Sequence, residues 1–328
     1  MKRIFSILAA LAATFTLGAQ NIAVVSPSNS TTICQTLEEA ITKAIDGSVI
    51  YLPGGGFRIA DETKIDKKIT IMGVSHRGDT DNADGATVIA GNLFFIEGSS
   101  GSAVVGVYLS GNINIGYDGT SVNNITVRYC NINSVQVNNN TCTGIVINQN
   151  YIRGLSRYSD SNVTISNNIC TGMIGINGGV IINNVFTGGA GVDDYNGRIL
   201  SANNSIVSYN VFMGSNWARY GSPNPTVDGS NNQGVFNMTK GNEWGDDCVN
   251  IGEIEWNDVF EKNAGISLKS KYIFVGEYKQ YNKKIGIYGG SSFNDDALAP
   301  IPRIVSKNVA EQTDGTGRLR IEVTVKSK

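Results

Sequence analysis

The chain has 328 residues, of which 41% are hydrophobic and 16% charged, so it has ample apolar material for a sizeable core. Lys and Arg number 26 against 28 Asp and Glu, and the net charge of −2 excludes the basic field that nucleic-acid binding or an anionic membrane surface would need. Gly is abundant at 39 and Pro scarce at 6, and the central region is rich in Asn, Ser, Thr, Ile and Val. This composition is typical of strands and turns rather than helices.

Residues 1–20 have the pattern of a secretory signal. Lys2 and Arg3 precede an apolar run over 4–17, and small residues follow it, which predicts cleavage near Ala19. The run is shorter than the roughly 20 residues of a membrane-spanning helix. We therefore expect an exported protein with no membrane span after signal cleavage, located in the periplasm, on the outer cell surface or outside the cell.

A short helix is predicted next, over about 36–46 in "TLEEAITKAIDGS". Its apolar residues have helical spacing, Thr36 is a suitable N-cap with Glu39 three residues later, and Gly47 lies just past the end. The apolar residues are Leu37, Ile41, Ala44 and Ile45. We expect this helix to cap the first strands that follow. Alternating apolar segments then predict strands from Val49 through Ile115.

The middle of the chain repeats the phrase "apolar-x-apolar-x-x-Asn-x-apolar". The repeated Asn, or the Cys that replaces it, recurs after 20, 18, 16, 26 and 32 residues, at Cys130, Asn150, Asn168, Asn184, Asn210 and Asn242. Short strands with period-2 alternation, recurring about every 20 residues, predict a coil of parallel strands in which each turn covers the apolar face of the previous one. An Asn at the bend can adopt a left-handed conformation and join a ladder of side-chain amides.

Five Cys are present, at Cys34, Cys130, Cys142, Cys170 and Cys248. The number is odd, so at least one thiol is unpaired, and the spacing is not that of a metal site. Cys130 and Cys170 occupy apolar or Asn positions of the repeat, which favours small buried side chains. A disulfide between Cys142 and a cysteine of a neighbouring turn is the alternative.

The segments "TLEEAITKAIDGSVIYLPGGGFRI" and "NVTISNNIC" resemble the pectin-lyase-like superfamily of right-handed parallel β-helix proteins. The segments "KKIGIYGGSSFNDDALAPIPRI" and "LRIEVTVKSK" are similar to the closing part of exported β-helix proteins of Bacteroidetes-type bacteria. The resemblance implies an all-β fold: a single-stranded β-helix of about ten turns over 21–298, with an N-terminal capping helix. A C-terminal loop and edge strand, with a small hairpin, would occupy 299–328. A sorting signal for cell-surface attachment is an alternative for this last segment.

The same resemblance implies two kinds of chemistry. Hydrolases of this superfamily use acidic residues on neighbouring turns, and lyases use an Arg or Lys base, often with Ca²⁺. Hydrolases similar to polygalacturonase carry Gly-His-Gly and Arg-Ile-Lys phrases, and neither occurs here. The only His, His76, reads as a surface loop residue.

Three loops that share one phase of the repeat carry the candidate ligand-binding residues. They are Arg153, Arg157 and Asp160 in the first, Asp193, Asp194 and Arg198 in the second, and Trp217, Arg219 and Tyr220 in the third. If the turns stack in register, the loops form one wall whose guanidinium, carboxylate and aromatic groups suit sugars. The alternative for each residue is an ordinary solvated loop position. Asp193 and Asp194 alone do not complete a Ca²⁺ site, because Ca²⁺ takes 6–8 oxygen ligands. No cofactor is therefore predicted, and bound Ca²⁺ is the alternative.

A second acidic cluster, Glu243 with Asp246 and Asp247, is interpreted as a turn rather than a catalytic pair, since adjacent residues of a strand point to opposite faces. No complete catalytic set is visible. The sequence therefore favours a non-catalytic protein that binds a polysaccharide or cell-surface glycan or serves as an envelope scaffold. The alternative is a polysaccharide lyase or glycoside hydrolase acting on an acidic polysaccharide.

Overall fold

A computed structural model describes residues 21–61, 63–77, 85–153, 156–158, 162–171, 174–187, 200–213, 227–228, 231–240, 246–261, 272–291, 293–295, 298–300, 303–310, 312–313 and 315–326. The predicted signal, residues 1–20, lies outside this set. The described chain is mostly strands with few helices, and most strands pair in parallel, so the all-β class is confirmed.

The helices are α1 (Leu37–Lys43) and α2 (Trp256–Val259), with 3-10 turns at Tyr117–Gly119 and Gly276–Tyr281. The strands are β1 (Ile22–Val25), β2 (Thr31–Cys34), β3 (Ser48–Leu52), β4 (Gly55–Arg58), β5 (Lys64–Ile65), β6 (Ile69–Gly73), β7 (Thr87–Ala90), β8 (Leu93–Phe95), β9 (Ala103–Val105), β10 (Tyr108–Ile115), β11 (Thr126–Arg128), β12 (Asn131–Val137), β13 (Ile145–Asn148), β14 (Tyr151–Ile152), β15 (Ser156–Tyr158), β16 (Val163–Ser166), β17 (Ile169–Cys170), β18 (Ile174–Asn177), β19 (Val180–Ile182), β20 (Val185–Phe186), β21 (Leu200–Asn203), β22 (Ile206–Ser208), β23 (Val211–Phe212), β24 (Val227–Asp228), β25 (Met238–Thr239), β26 (Val249–Asn250), β27 (Arg303–Val309) and β28 (Ile321–Lys326).

Helix α1 begins where the sequence predicts. The Thr36 hydroxyl oxygen accepts a hydrogen bond from the Glu39 N–H at 3.1 Å, and the Glu39 carboxylate accepts one from the Gln35 N–H at 3.0 Å. The helix ends at Lys43, earlier than predicted, because Ala44 has extended backbone angles. Ile45, predicted to lie on the buried face, is therefore outside the helix and 58% exposed.

The strands form two large sheets. Sheet A has the order β2-β1-β3-β6-β9-β11-β13-β16-β19-β22 and is parallel apart from the β1–β2 and β1–β3 pairs. The second sheet divides into two columns, because β10 and β12 each pair with one set of strands near the start and another near the end. Column B contains β4, β7, the first parts of β10 and β12, β14, β17, β20, β23, β25 and β26. Column C contains β5, β8, the last parts of β10 and β12, β15, β18, β21 and β24.

The chain visits these sheets in a fixed order, from sheet A to column B to column C. It does so through β13, β14 and β15, and again through β16 to β18, β19 to β21 and β22 to β24. Strands of successive passages pair in register, so their inward side chains stack in rows. One row consists of Ile132, Ile152, Cys170, Phe186 and Phe212, all fully buried. The rings of Phe186 and Phe212 stack with centroids 4.9 Å apart.

A ladder of buried Asn follows the corner between sheet A and column B, as predicted. Each Asn side-chain oxygen accepts a hydrogen bond from the backbone N–H one passage earlier, starting with Cys130 N–H to Asn150 at 2.9 Å. The ladder residues are Asn150, Asn168, Asn184, Asn210 and Asn237. Asn237, not the predicted Asn242, is the last: it accepts from the Asn210 N–H at 3.1 Å, 27 residues away.

The left-handed residue of this corner is not the ladder Asn. It is the residue immediately before it, at Tyr129, Gln149, Asn167, Asn183, Tyr209 and Phe236, with φ between 53° and 58°. A left-handed residue turns the chain sharply, and the following Asn then points inward along the stack. The preceding side chain is left on the outside of the corner.

A strap formed by residues 284–291, 293–295 and 298–299 crosses the outside of this corner and of column B. Asn167 donates to the carbonyls of Ile287 and Gly289 at 2.9 and 2.6 Å, and Asn183 donates to that of Lys284 at 2.7 Å. The C-terminal end of the strap reaches the residue after β6, where the Ala299 N–H donates to the Val74 carbonyl at 3.1 Å. Ile285, Ile287 and Phe293 pack in one apolar cluster with the outward residues of column B, Ile169, Val185, Val211 and Met238.

The end of the chain forms the predicted hairpin. Strands β27 and β28 pair antiparallel in a sheet of their own. Within the described residues this hairpin does not extend sheet A, column B or column C, in contrast to the edge strand expected from the alternation of residues 319–326.

Candidate functional site

Two of the predicted loops start and end at paired positions. Residues 187–199 connect β20 to β21, and residues 213–226 connect β23 to β24. Phe186 pairs with Phe212 at the start of the loops, and Leu200 pairs with Val227 at their end. Neighbouring strands lie about 4.8 Å apart. Both loops therefore leave column B and rejoin column C side by side, as the shared phase of the repeat predicts.

The six candidate residues within these two loops lie outside the described residues: Asp193, Asp194, Arg198, Trp217, Arg219 and Tyr220. Asp160, from the first loop, also lies outside them. What the structure establishes for the second and third loops is the corner from which they emerge.

The first predicted loop is instead divided by a strand. Arg157 lies in β15 of column C, where it pairs with Gln136 on one side and Gly175 on the other. A strand is required here, because the backbone groups of β12 and β18 would otherwise lack partners. The segment with Asp160 follows β15 and leads to sheet A, so it leaves from a different corner from the other two loops.

Arg153 is held on the outer face of column B. Its guanidinium donates to the Leu109 carbonyl at 3.1 Å and lies 4.8 Å from the centroid of the Tyr108 ring. Its Nε is buried without a hydrogen-bond partner. These contacts cross two strands, so Arg153 braces the surface beside the corner rather than extending into solvent.

The outer face of column C carries a row of polar and aromatic residues that the sequence reasoning missed. Lys64, Phe94, Asn114 and Gln136 occupy paired positions, and each is followed by a buried inward residue. The Phe94 ring contacts Tyr117 at 4.6 Å, and Tyr117 is 38% exposed. We call these five residues the column C stripe. The available signal was the polar position of each alternating strand, as in "VQV" and "NINI".

Side chains with hydrogen-bonding groups continue along the corner between columns B and C. The Asn112 side-chain oxygen accepts from Asn133 at 2.9 Å and from the Ser134 hydroxyl at 2.8 Å. Gln136 donates to Ser134 at 3.1 Å. Lys64 forms an ion pair with Asp118, and its Nζ lies 6.0 Å from the Tyr117 ring centroid. Amides and an accessible ring are groups that bind sugar hydroxyls and stack on sugar rings, whereas the Ser134 hydroxyl is buried and bonded to Asn112 and Gln136.

The second acidic cluster is a turn, as predicted. Asp247 has φ 51°, and both Asp246 and Asp247 are exposed. The Asp246 N–H donates to the Gly234 carbonyl at 2.8 Å. Glu243 lies outside the described residues.

His76 is not on the surface. It is 4% exposed, and its Nδ1 lies 2.8 Å from the Tyr129 carbonyl. Its neighbour Ser75 forms a β-bridge with Leu298, so the strap covers this loop. A contact between residues so distant in the sequence is the reason that the predicted exposure was wrong.

The five Cys are all unpaired thiols, so the Cys142 disulfide is not formed. Cys34, Cys130, Cys142 and Cys170 are buried, as the repeat predicts for Cys130 and Cys170. Burial raises the pKa of the Cys130 thiol to about 12 and also raises the pKa of Cys170 and of Cys142. Within the part of the chain that the structure describes, no group of three His, Cys, Asp or Glu side chains is placed to hold a metal ion.

Comparisons with protein-family models, with curated proteins and with solved structures each found no match. Among the described helices, none has the length and apolar character needed to cross a membrane.

Proposed function

We propose that this chain is an exported, single-stranded, right-handed parallel β-helix of the pectin-lyase-like type that binds a glycan on the outer face of column C without cleaving it. Repeated passage from sheet A to column B to column C, always in parallel and in register, supports the β-helix. The internal Asn ladder supports it as well, because a ladder needs the same corner to recur at the same place in each turn.

The observation that carries the binding function is the column C stripe, which lies on the same column that the two long loops rejoin three and four strands after β12. Sheet surfaces that pack against protein are apolar, whereas Asn114 and Gln136 offer amide groups and Tyr117 an accessible ring. A linear polymer could lie along the stripe, with each successive strand contributing one residue at a spacing of about 4.8 Å. The loops would then form a wall beside a polymer that extends from the stripe past β15 and β18 to β21 and β24, with their Arg, Asp, Trp and Tyr residues available for contacts.

The test is affinity electrophoresis of chain 21–328 in acidic and neutral polysaccharides, with and without Ca²⁺. The same mixtures are assayed for unsaturated sugar ends and reducing ends. We expect retardation without product, and a loss of about tenfold in affinity on Tyr117→Ala, because an exposed stacking ring is removed. The matched control is Tyr51→Ala, which removes a similarly exposed ring from sheet A.

Each other outcome would indicate a different function for this protein. Unsaturated ends would show a lyase, and reducing ends alone a hydrolase, and either would replace the non-catalytic proposal. Absence of retardation in every polymer would overturn glycan binding. Equal losses for Tyr117→Ala and Tyr51→Ala would overturn the assignment of the site to column C.

A further inference from the structure

The C-terminal hairpin exposes an unusual number of apolar side chains on one face. Val309 and Ile321 pair across the hairpin, and Val323 and Val325 follow on the same face of β28. Exposure on this face ranges from 45% for Leu319 to 59% for Ile321. All six residues of β28 are exposed, so nothing in the described chain covers either side of this strand.

In the part of the chain that the structure describes, the hairpin has two strands, fewer than a stable sheet usually has. A two-stranded hairpin is marginal alone in water, and three or more strands are usually required. Among the described residues, β28 pairs on one edge with β27 and with no other strand. Its other edge has no Pro and no bulge, which are two devices that protect edge strands from pairing. The irregular step in the pairing lies in β27, between the partners of Val325 and Thr324.

We propose that the free edge of β28 pairs antiparallel with β28 of a second copy of this chain, which makes a four-stranded sheet across a twofold axis. With the axis at Thr324, Glu322 lies opposite Lys326 of the second copy, and Lys326 opposite Glu322 of the second copy. Val323 then lies opposite Val325 of the second copy, so the apolar rows of the two hairpins join. An interface of this kind uses the same surface on both copies and closes, so it stops at a dimer.

Charge selects this pairing among the alternatives. With the axis at Val323, Arg320 would face Lys326 of the second copy twice, and like charges directly opposite each other are destabilising. With the axis at Ile321, Arg320 and Glu322 would face each other, but Val325 would find no opposite residue within the pair of strands. The axis at Ile321 would also place Leu319 opposite Val323, but the axis at Thr324 is the one that gives two favourable charge pairs between residues that all belong to β28.

The test is sedimentation velocity of chain 21–328 from about 1 to 200 μM, with four variants. Glu322→Lys and Lys326→Glu each place like charges opposite each other, and each is expected to raise the dimer dissociation constant about tenfold or more. The double variant Glu322→Lys/Lys326→Glu reverses both charges and is expected to restore most of the affinity. Ser306→Lys, on β27 and away from the free edge of β28, is the control for added charge and should leave the association unchanged.

Rescue by the double variant would support the pairing, because a hairpin that had merely unfolded would not recover. A monomer throughout the concentration range would overturn the proposal. A dimer that the double variant weakens as much as the single variants do would also overturn it, since the contact between copies would then lie elsewhere. These outcomes are independent of glycan binding, which is measured on a different surface.

Discussion

Columns B and C are built by the same repeated passages of chain, yet their outer faces differ. Column B presents Ile169, Val185 and Val211 outward, and the strap buries all three. Column C presents Asn114 and Gln136 outward, and both stay partly exposed. The inward rows are apolar in both columns, so they do not indicate how the two outer faces differ. The outward residues of a repeat therefore indicate which surface packs against the rest of the chain and which stays partly exposed.

The largest expected effect is on the ladder that borders column B. In Asn168→Ala, the Asn150 N–H loses its acceptor and the Ile147 carbonyl loses a donor, both in the buried core. Each unsatisfied buried group costs about 1–3 kcal/mol, so we expect a loss of roughly 3 kcal/mol or more in the free energy of unfolding by urea.

The matched control for this variant is Asn204→Ala. Asn204 also donates to another Asn side chain, Asn177, at 2.7 Å, but it does so on the exposed corner. We expect a smaller loss of about 1 kcal/mol, because water can replace the lost partner and the remaining cost is that of placing Ala at the left-handed backbone of Asn204, whose φ is 49°. Equal losses in the two variants would mean that burial does not distinguish the two corners.

The next effect tests the strap. A Cβ at Gly289 would lie 2.0 Å from the Asn183 side-chain nitrogen and 2.6 Å from the Lys284 carbonyl oxygen. Gly289→Val should therefore lift the strap locally, at a cost of about 2 kcal/mol, and expose the apolar outer face of column B. The measurements are urea unfolding and binding of a hydrophobic dye. The control is Gly56→Val, since a Cβ at Gly56 meets nothing within 4 Å. Dye binding unchanged from the parent chain would contradict the role of the strap as a cover.

The smallest effect is a pattern of thiol labelling that should leave stability unchanged. Cys34, Cys130, Cys142 and Cys170 are buried, and their raised pKa values keep the thiols protonated at pH 8. Cys248, near the end of column B, is the one Cys with partial exposure. Mass spectrometry after brief alkylation should find a single modified site, Cys248, in the native chain and five in urea. Rapid modification of Cys170 in the native chain would show that column B opens easily.

The sequence predicts the interior of this fold well, because the interior repeats. Ile147, Ile165 and the ladder Asn are at fixed places in the phrase, and each must fit the copy above and below it. The phrase becomes ambiguous only where the passages lengthen. Asn237 was missed in favour of Asn242 for this reason, since a gap of 27 residues gives no clear alignment.

The outer surfaces could not be predicted to the same degree. Asn167 binds the Ile287 carbonyl from 120 residues away, and no local pattern indicates such a contact. Arg157 carries a charge typical of loops, but the backbone pairing of its segment with β12 on one side and β18 on the other requires a strand. The stripe residues Asn114 and Gln136 occupy positions where the repeat accepts almost any polar side chain, so the pattern gives them no special weight.

The strap also orders events in time. A ribosome makes Val74 long before it makes Ala299, yet the strap joins these two residues by a hydrogen bond. The apolar side chains of Ile169, Val185 and Val211 therefore stay uncovered until the strap has been made. Between the synthesis of Ile169 and that of the strap, a growing chain therefore exposes this apolar face to aggregation or to a chaperone.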